Sequence, residues 1–215
     1  MSARSAPMLI LPDPPAPPAP LGLIAAGGRL PLLVAQGMHD AGHAVCGLGL
    51  RGQYADELPG LCDQFSEAAT LRLNSWGSSL RAMGVSYAVM VGKIDKAPLM
   101  HSWAAIIRNR PDLRTLKAWF LNRTDRRSHV MLSLIADELA KDGVHLIDST
   151  SHIPEHLSSA GVMTSRKPTG RQLSDIEFGW PLLQELLRLD IGQAISVREG
   201  DVIAVEAVEG TDQMI

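Results

Sequence analysis

Leu21-Gly22-Leu23-Ile24-Ala25-Ala26-Gly27-Gly28-Arg29-Leu30-Pro31 is the stretch whose reading decides the fold. Leu21 to Ala26 carries no charge and no polar side chain, which suits a strand buried on both faces. Gly27-Gly28 breaks that run. Leu30 to Asp40 then places apolar residues at helical spacing, with Pro31 in the first turn, where its missing N–H does no harm. Gly42 ends the helix, and His43 to Leu50 is a second apolar strand. Strand, helix and strand in close succession predict a parallel pair joined by a right-handed crossover.

The same alternation continues outward. Asp63 to Ala69 reads as a short strand, Trp76 to Met83 as an amphipathic helix ending at Gly84, and Val85 to Val91 as a buried strand ending at Gly92-Lys93. Ala97 to Asn122 is helical and partly basic, Asp125 to Lys141 is a clear helix, and Val144 to Asp148 is a further short strand. An α/β domain with a mostly parallel sheet is therefore expected over residues 21–150. Beyond it, Ser151 to Gly170 is rich in turn formers. Ser174 with Glu177 is a capping box, for a helix reaching about Arg188. Ala194 to Val197 and Val202 to Val208 read as a hairpin turning at Arg198-Glu199-Gly200-Asp201. Residues 151–215 are thus expected to form a linker and a partial α+β C-terminal domain.

The N-terminal end is different. Pro7, Pro12, Pro14, Pro15, Pro17, Pro18 and Pro20 are half of the 14 prolines, and proline removes backbone donors and fixes φ. Residues 1–20 are read as a disordered leader and left out of the fold.

Composition narrows the function classes. Across 215 residues the net charge is -3, with 20% charged residues. A domain that neutralises phosphate backbones is usually clearly basic, so nucleic acid is excluded as the main partner. No apolar run reaches the ~18 residues of a spanning helix. Cys46 and Cys62 lack the spacing of a zinc site and read as free thiols in a reducing compartment.

Chemistry has few places to reside. Gly27-Gly28 lies between a strand and a helix start, where free N–H groups and the helix dipole favour a phosphate. Lys93 falls on the same expected sheet edge. The dinucleotide fingerprint GxGxxG is absent, which weighs against a nicotinamide oxidoreductase. Asp190, in Leu189-Asp190-Ile191-Gly192-Gln193, suits either a metal ligand or a turn cap. Glu206 sits inside an apolar strand and is expected to be edge-exposed or paired. Glu209 and Asp212 flank a glycine just past that strand, and carboxylates so placed suit Mg²⁺ with substrate phosphates. Asp148, His152 and His156 have zinc-like spacing but sit in a loop-rich region. The basic cluster Arg123, Arg126, Arg127 and His129 opposes a helix dipole.

Taken in order, LGLIAAGGRLP (Leu21 to Pro31), VGK (Val91 to Lys93), LDIGQA (Leu189 to Ala194) and AVEAVEGTD (Ala204 to Asp212) resemble the LpxI type of UDP-2,3-diacylglucosamine pyrophosphatase, an enzyme of lipid A synthesis in Gram-negative bacteria. The resemblance covers essentially everything from Leu21 onward. It implies a Rossmann-like N-terminal domain and a distinct C-terminal domain. The implied reaction hydrolyses UDP-2,3-diacylglucosamine to UMP and 2,3-diacylglucosamine 1-phosphate (lipid X), with Mg²⁺ or another divalent cation. It makes Asp212 the essential carboxylate, with Glu209 beside it at the metal. Gly27, Gly28, Leu30, Lys93, Asp190, Gln193 and Thr211 become the substrate-binding candidates. It further implies a cytoplasmic protein peripheral to the inner membrane, and leaves a homodimer open. The family continues past EGTD for several tens of residues, so a C-terminally truncated member is expected. The alternative is an inactive remnant that binds nucleotide or lipid.

Overall fold

The structure, a computed structural model, describes residues 11–94, 111–121, 128–189, 191–207 and 211–214. The chain divides into two compact units, Leu9–Leu157 and Ser158–Ile215, each treated by itself.

The first unit is built on a five-stranded sheet: β1 (Leu21–Ala25), β2 (Val45–Leu50), β3 (Gln64–Ala68), β4 (Tyr87–Val91) and β5 (His145–Leu146), in the order β3-β2-β1-β4-β5. Every pair is parallel. The chain winds outward from β1 to β3, then returns to the other side of β1 with β4. That reversal puts the topological switch point at the carboxyl ends of β1 and β4, where open α/β sheets take their ligands. This is the Rossmann-like α/β architecture that the apolar runs and the resemblance predicted. The last strand is shorter than expected, two residues in place of Val144 to Asp148.

Helices α1 (Leu30–Asp40), α2 (Leu73–Ala82), α3 (Leu113–Leu121) and α4 (Ser128–Lys141) are the α-helices of the described part of this unit, beside short 3-10 turns at Leu58–Leu61 and Pro154–His156. The expected helical stretch from Ala97 lies outside the described residues as far as Arg110, as does the start of the Asp125 to Lys141 helix. Apolar cores cover both sheet faces. Ile24, Leu48, Trp76, Leu80 and Leu139 form one. Leu21, Leu23, Val34, Met38, Leu58 and Ile153 form the other. β1 supplies both because successive side chains point to opposite faces. Each fully buried Leu or Val contributes about 1.5–3 kcal/mol. Trp76 buries its ring and donates its Nε1–H to the Ala69 carbonyl at 2.9 Å.

Two close approaches fix the helices. At Gly37 on α1, a Cβ would lie 1.9 Å from the His152 carbonyl oxygen. Only glycine lets that backbone come so near. Asp112 caps α3 by accepting the Thr115 N–H at 2.7 Å, and it also takes the Asn74 N–H of α2 at 2.9 Å. Burial alone would raise the Asp112 carboxyl, but the hydrogen bonds from Thr115 and Asn74 and the Arg72 charge bring it below its ordinary value. Arg114 of α3 pairs with Glu138 and Asp142 at the end of α4.

Residues 11–20 carry neither helix nor strand, as their prolines dictate. They are nevertheless seated on this unit. Leu11 packs against the core containing Trp76, and the Ala19 carbonyl meets His43 Nδ1 at 2.8 Å. Leaving them out of the fold therefore discarded a packed segment.

The second unit comprises α5 (Gly170–Leu189), the hairpin strands β6 (Ile195–Arg198) and β7 (Asp201–Val205), and the short α6 (Thr211–Met214). The expected capping box is displaced. Thr169 Oγ1 accepts the Gln172 N–H at 3.3 Å while Gln172 Oε1 accepts the Thr169 N–H at 2.9 Å. Ser174 lies inside the helix and donates to the Gly170 carbonyl. Glu199 and Gly200 both have positive φ, 54° and 81°, which is a primed turn suited to a hairpin. Asp175 of α5 accepts both of their N–H groups, at 3.1 and 2.8 Å. Gly179 lets α5 lie directly on Val197 of β6. Large apolar residues of α5 stay exposed, Ile176, Phe178 and Trp180 among them. Within this unit, an open cleft of about 950 Å³ is lined by Val162, Met163, Arg166, Lys167, Trp180 and Val197. Among the described residues, no helix is long and apolar enough to cross a membrane.

Candidate functional site

The predicted glycine and lysine residues meet at the carboxyl ends of β1 and β4. Gly27 and Lys93 form an antiparallel bridge, Gly27 N–H to the Lys93 carbonyl at 3.0 Å and Lys93 N–H to the Gly27 carbonyl at 2.9 Å. The approach demands glycine on both sides. A Cβ on Gly92 would lie 2.8 Å from the Gly27 carbonyl oxygen, and one on Gly27 would lie 3.0 Å from that of Lys93. Gly92 also holds φ at 107° and Gly28 at 98°, conformations closed to most side chains.

The bridge changes what Gly27 contributes. Its N–H is spent on Lys93, so the amides left to greet an anion at the start of α1 are those of Gly28, Arg29 and Leu30. The Lys93 and Leu30 side chains are exposed beside them. Backbone amides, a helix N-terminus and a lysine are the components of an anion site.

Sequence reading missed a polar group on this same sheet edge. Just past β2, Arg51 pairs with Glu67 of β3, and the Tyr54 hydroxyl donates to Glu67 at 3.0 Å. Burial first, and the Glu67 carboxylate second, push the Tyr54 phenol up. Gln53, between Arg51 and Tyr54, has its carbonyl 3.1 Å from where a Gly27 Cβ would be. The usable signal was that residues directly following a buried parallel strand reach the ligand edge.

The remaining predicted residues belong to the second unit. Gln193 is exposed, Thr211 opens α6, and Asp212 is exposed in its first turn. Asp190 and Glu209 lie outside the described residues, as does the Arg123, Arg126 and Arg127 cluster. Glu206, left open between an edge and a paired role, is buried at 5% exposure and accepts the Thr211 hydroxyl at 2.9 Å. The two C-terminal motifs are packed together here. A Cβ at Gly192 would lie 1.7 Å from the Glu206 carbonyl oxygen.

No group of three His, Cys, Asp or Glu side chains converges among the described residues. The zinc spacing is not realised among them. Asp148 turns onto Thr150, whose N–H and hydroxyl both donate to it at 2.8 Å and hold its carboxyl below the usual range. His152 instead packs edge-on against His43, with ring centres 5.2 Å apart. Burial first, and His43 second, hold its imidazole below its ordinary value. Cys46 and Cys62 are both free thiols.

Sequence models of two domains match the chain: the LpxI N-terminal domain over residues 20–156 and the LpxI C-terminal domain over residues 159–215. Over 200 residues the chain is 32% identical to the UDP-2,3-diacylglucosamine pyrophosphatase LpxI of Caulobacter vibrioides, covering 91% of this chain and 67% of that protein. Among solved structures it is similar to a nucleoside-diphosphate-sugar epimerase from Pseudomonas aeruginosa, at 17% identity and TM-score 0.33, covering 60% of this chain and 50% of that one. A UDP-glucose-4-epimerase from Stenotrophomonas maltophila gives 13% identity and TM-score 0.36, covering 77% and 49%. The chain spans about half the length of either epimerase.

Proposed function

This chain belongs to the LpxI family, and on that premise we propose that it hydrolyses the pyrophosphate bond of UDP-2,3-diacylglucosamine, releasing UMP and lipid X. The observation that carries the reading is the succession of both family domains along one chain. The geometry supports it: the described part of the first domain brings backbone amides and a lysine together at the carboxyl edge of its open sheet.

In this reading the Gly28, Arg29 and Leu30 amides and the Lys93 ammonium bind the diphosphate. The backbone there is held by the Gly27–Lys93 bridge before substrate arrives, and fixed donors are the condition for electrostatic stabilisation of charge as the bond breaks. Asp212, with Glu209, holds a divalent cation or orients the attacking water. Mg²⁺ when bound supplies charge neutralisation at the phosphate oxygens and acidifies a bound water. Gln193 and Thr211 complete the substrate contacts, and Asp190 is assigned to the same group. An acylated substrate places the protein at the cytoplasmic face of the inner membrane, peripherally, in a Gram-negative bacterium. The exposed apolar residues of α5 suit such a surface.

The test is Mg²⁺-dependent UMP release from UDP-2,3-diacylglucosamine by the unaltered chain and by Asp212→Ala. Loss of a group acting on developing charge costs about 10²-fold or more in rate. Undiminished turnover in the variant removes Asp212 from the mechanism. Binding of UMP without turnover in the unaltered chain replaces the hydrolase reading with that of a binding remnant.

A further inference from the structure

Glu206 stands apart from the other described acids because it is buried, at 5% exposure, immediately after β7. Its Oε1 accepts the Thr211 hydroxyl at 2.9 Å, and its Oε2 is enclosed with no hydrogen-bond partner among the described residues. The backbone around it is held as well. Its N–H donates to the Ala194 carbonyl at 2.9 Å, and its own carbonyl presses on Gly192.

An exposed helix of four residues does not hold itself in place, since one turn is below the length at which helices persist. Thr211 opens that helix and Asp212 follows it. The Glu206–Thr211 bond ties the start of the helix to a rigid strand end. A carboxylate acceptor in a buried setting makes the tie strong.

We propose that Glu206 is a positioning residue for Asp212: through the Thr211 hydroxyl it sets where the Asp212 carboxylate stands. The proposal rests on the catalytic assignment of Asp212 above and adds to it a residue that need not touch substrate.

The experiment is a double-mutant cycle in the full chain on UMP release, joined to hydrogen exchange. Glu206→Ala is expected to lower kcat about 10²-fold, the scale of a misplacement near 1 Å, with KM changed by no more than about threefold. Glu206→Gln keeps the acceptor oxygen and the volume, and recovers most of that loss. Thr211→Val reproduces the loss in kcat, its substrate contact adding a rise in KM, and in kcat the double variant is no worse than either single one. In exchange, amides of Thr211 to Met214 open faster in Glu206→Ala while the β6–β7 hairpin keeps its protection. Additive losses in kcat, or a hairpin that opens together with Thr211 to Met214, overturn the role of Glu206. If the unaltered chain releases no UMP, the hydrolase reading falls. The exchange arm then decides separately whether Glu206 holds the segment.

Discussion

Replacing Gly37 by alanine sets local and long-range physics against each other. Gly37 is in the middle of α1, a helix that runs from Leu30 to Asp40. Helix propensity favours alanine there by about 1 kcal/mol. The tertiary structure opposes it. The new Cβ would lie 1.9 Å from the His152 carbonyl oxygen. A tolerable carbon–oxygen contact is about 3.3 Å, so that carbonyl must retreat by about 1.4 Å. It is poorly placed to do so. Ile153, the next residue, is 3% exposed and belongs to the core beneath α1, and its N–H is held by the Thr150 carbonyl at 3.1 Å. The His152 ring is packed on His43. Overpacking costs about 1–3 kcal/mol where neighbours resist, and this site belongs at the upper end. After subtracting the propensity gain, the net loss is about 2 kcal/mol. In a chain of this size that lowers Tm by about 4–8 °C. Urea unfolding followed by tryptophan fluorescence, with a parallel thermal melt, measures both. An unchanged or raised Tm would refute the reasoning, because it would mean that the His152 segment yields freely.

Other expectations follow from the same contacts. Above about pH 6.5 His152 is neutral in both states; below it the unfolded chain takes up a proton that the buried ring resists, so stability falls on acidification by up to about 1.4 kcal/mol per pH unit. Urea midpoints from pH 7.5 to 5.5 check this, and His152→Gln should flatten the acid slope. Asp112→Ala removes the cap of α3 and the bond to the Asn74 N–H together. The expected cost is about 1–2 kcal/mol in urea unfolding, and an unaltered midpoint would show the bonds to be idle. Burial pushes the Cys62 thiol up to about 11. Iodoacetamide at pH 8 should therefore modify it about 10²-fold more slowly in the native protein than in urea, and comparable rates would contradict that environment.

The sheet was legible because β1, β2 and β4 are apolar on both faces, and such runs declare themselves without reference to partners. The ligand edge was legible too, since Gly27-Gly28 and Gly92-Lys93 both follow such strands. Their direct pairing was not, and neither was its consequence that the Gly27 amide is consumed. The capping box was misplaced because Ser174 with Glu177 and Thr169 with Gln172 satisfy the same pattern. Pro168 decides between them, as it keeps Lys167 out of the helical region and lets the helix begin just after. Glu206 was noticed only as an acid in an apolar strand. Whether such a residue is exposed or buried depends on what folds over it.

By itself, then, the sequence determined the succession of strands and helices, the glycine turns that follow β1 and β4, and the family to which the motifs belong. These follow from period, turn chemistry and charge, which act over a few residues. The tertiary structure decided where a close approach demands glycine: against His152 at Gly37, Lys93 at Gly27 and Glu206 at Gly192. It also decided that Glu206 grips Thr211 rather than facing water. Such contacts arise only when distant segments compete for the same buried space, and no local pattern records the outcome of that competition.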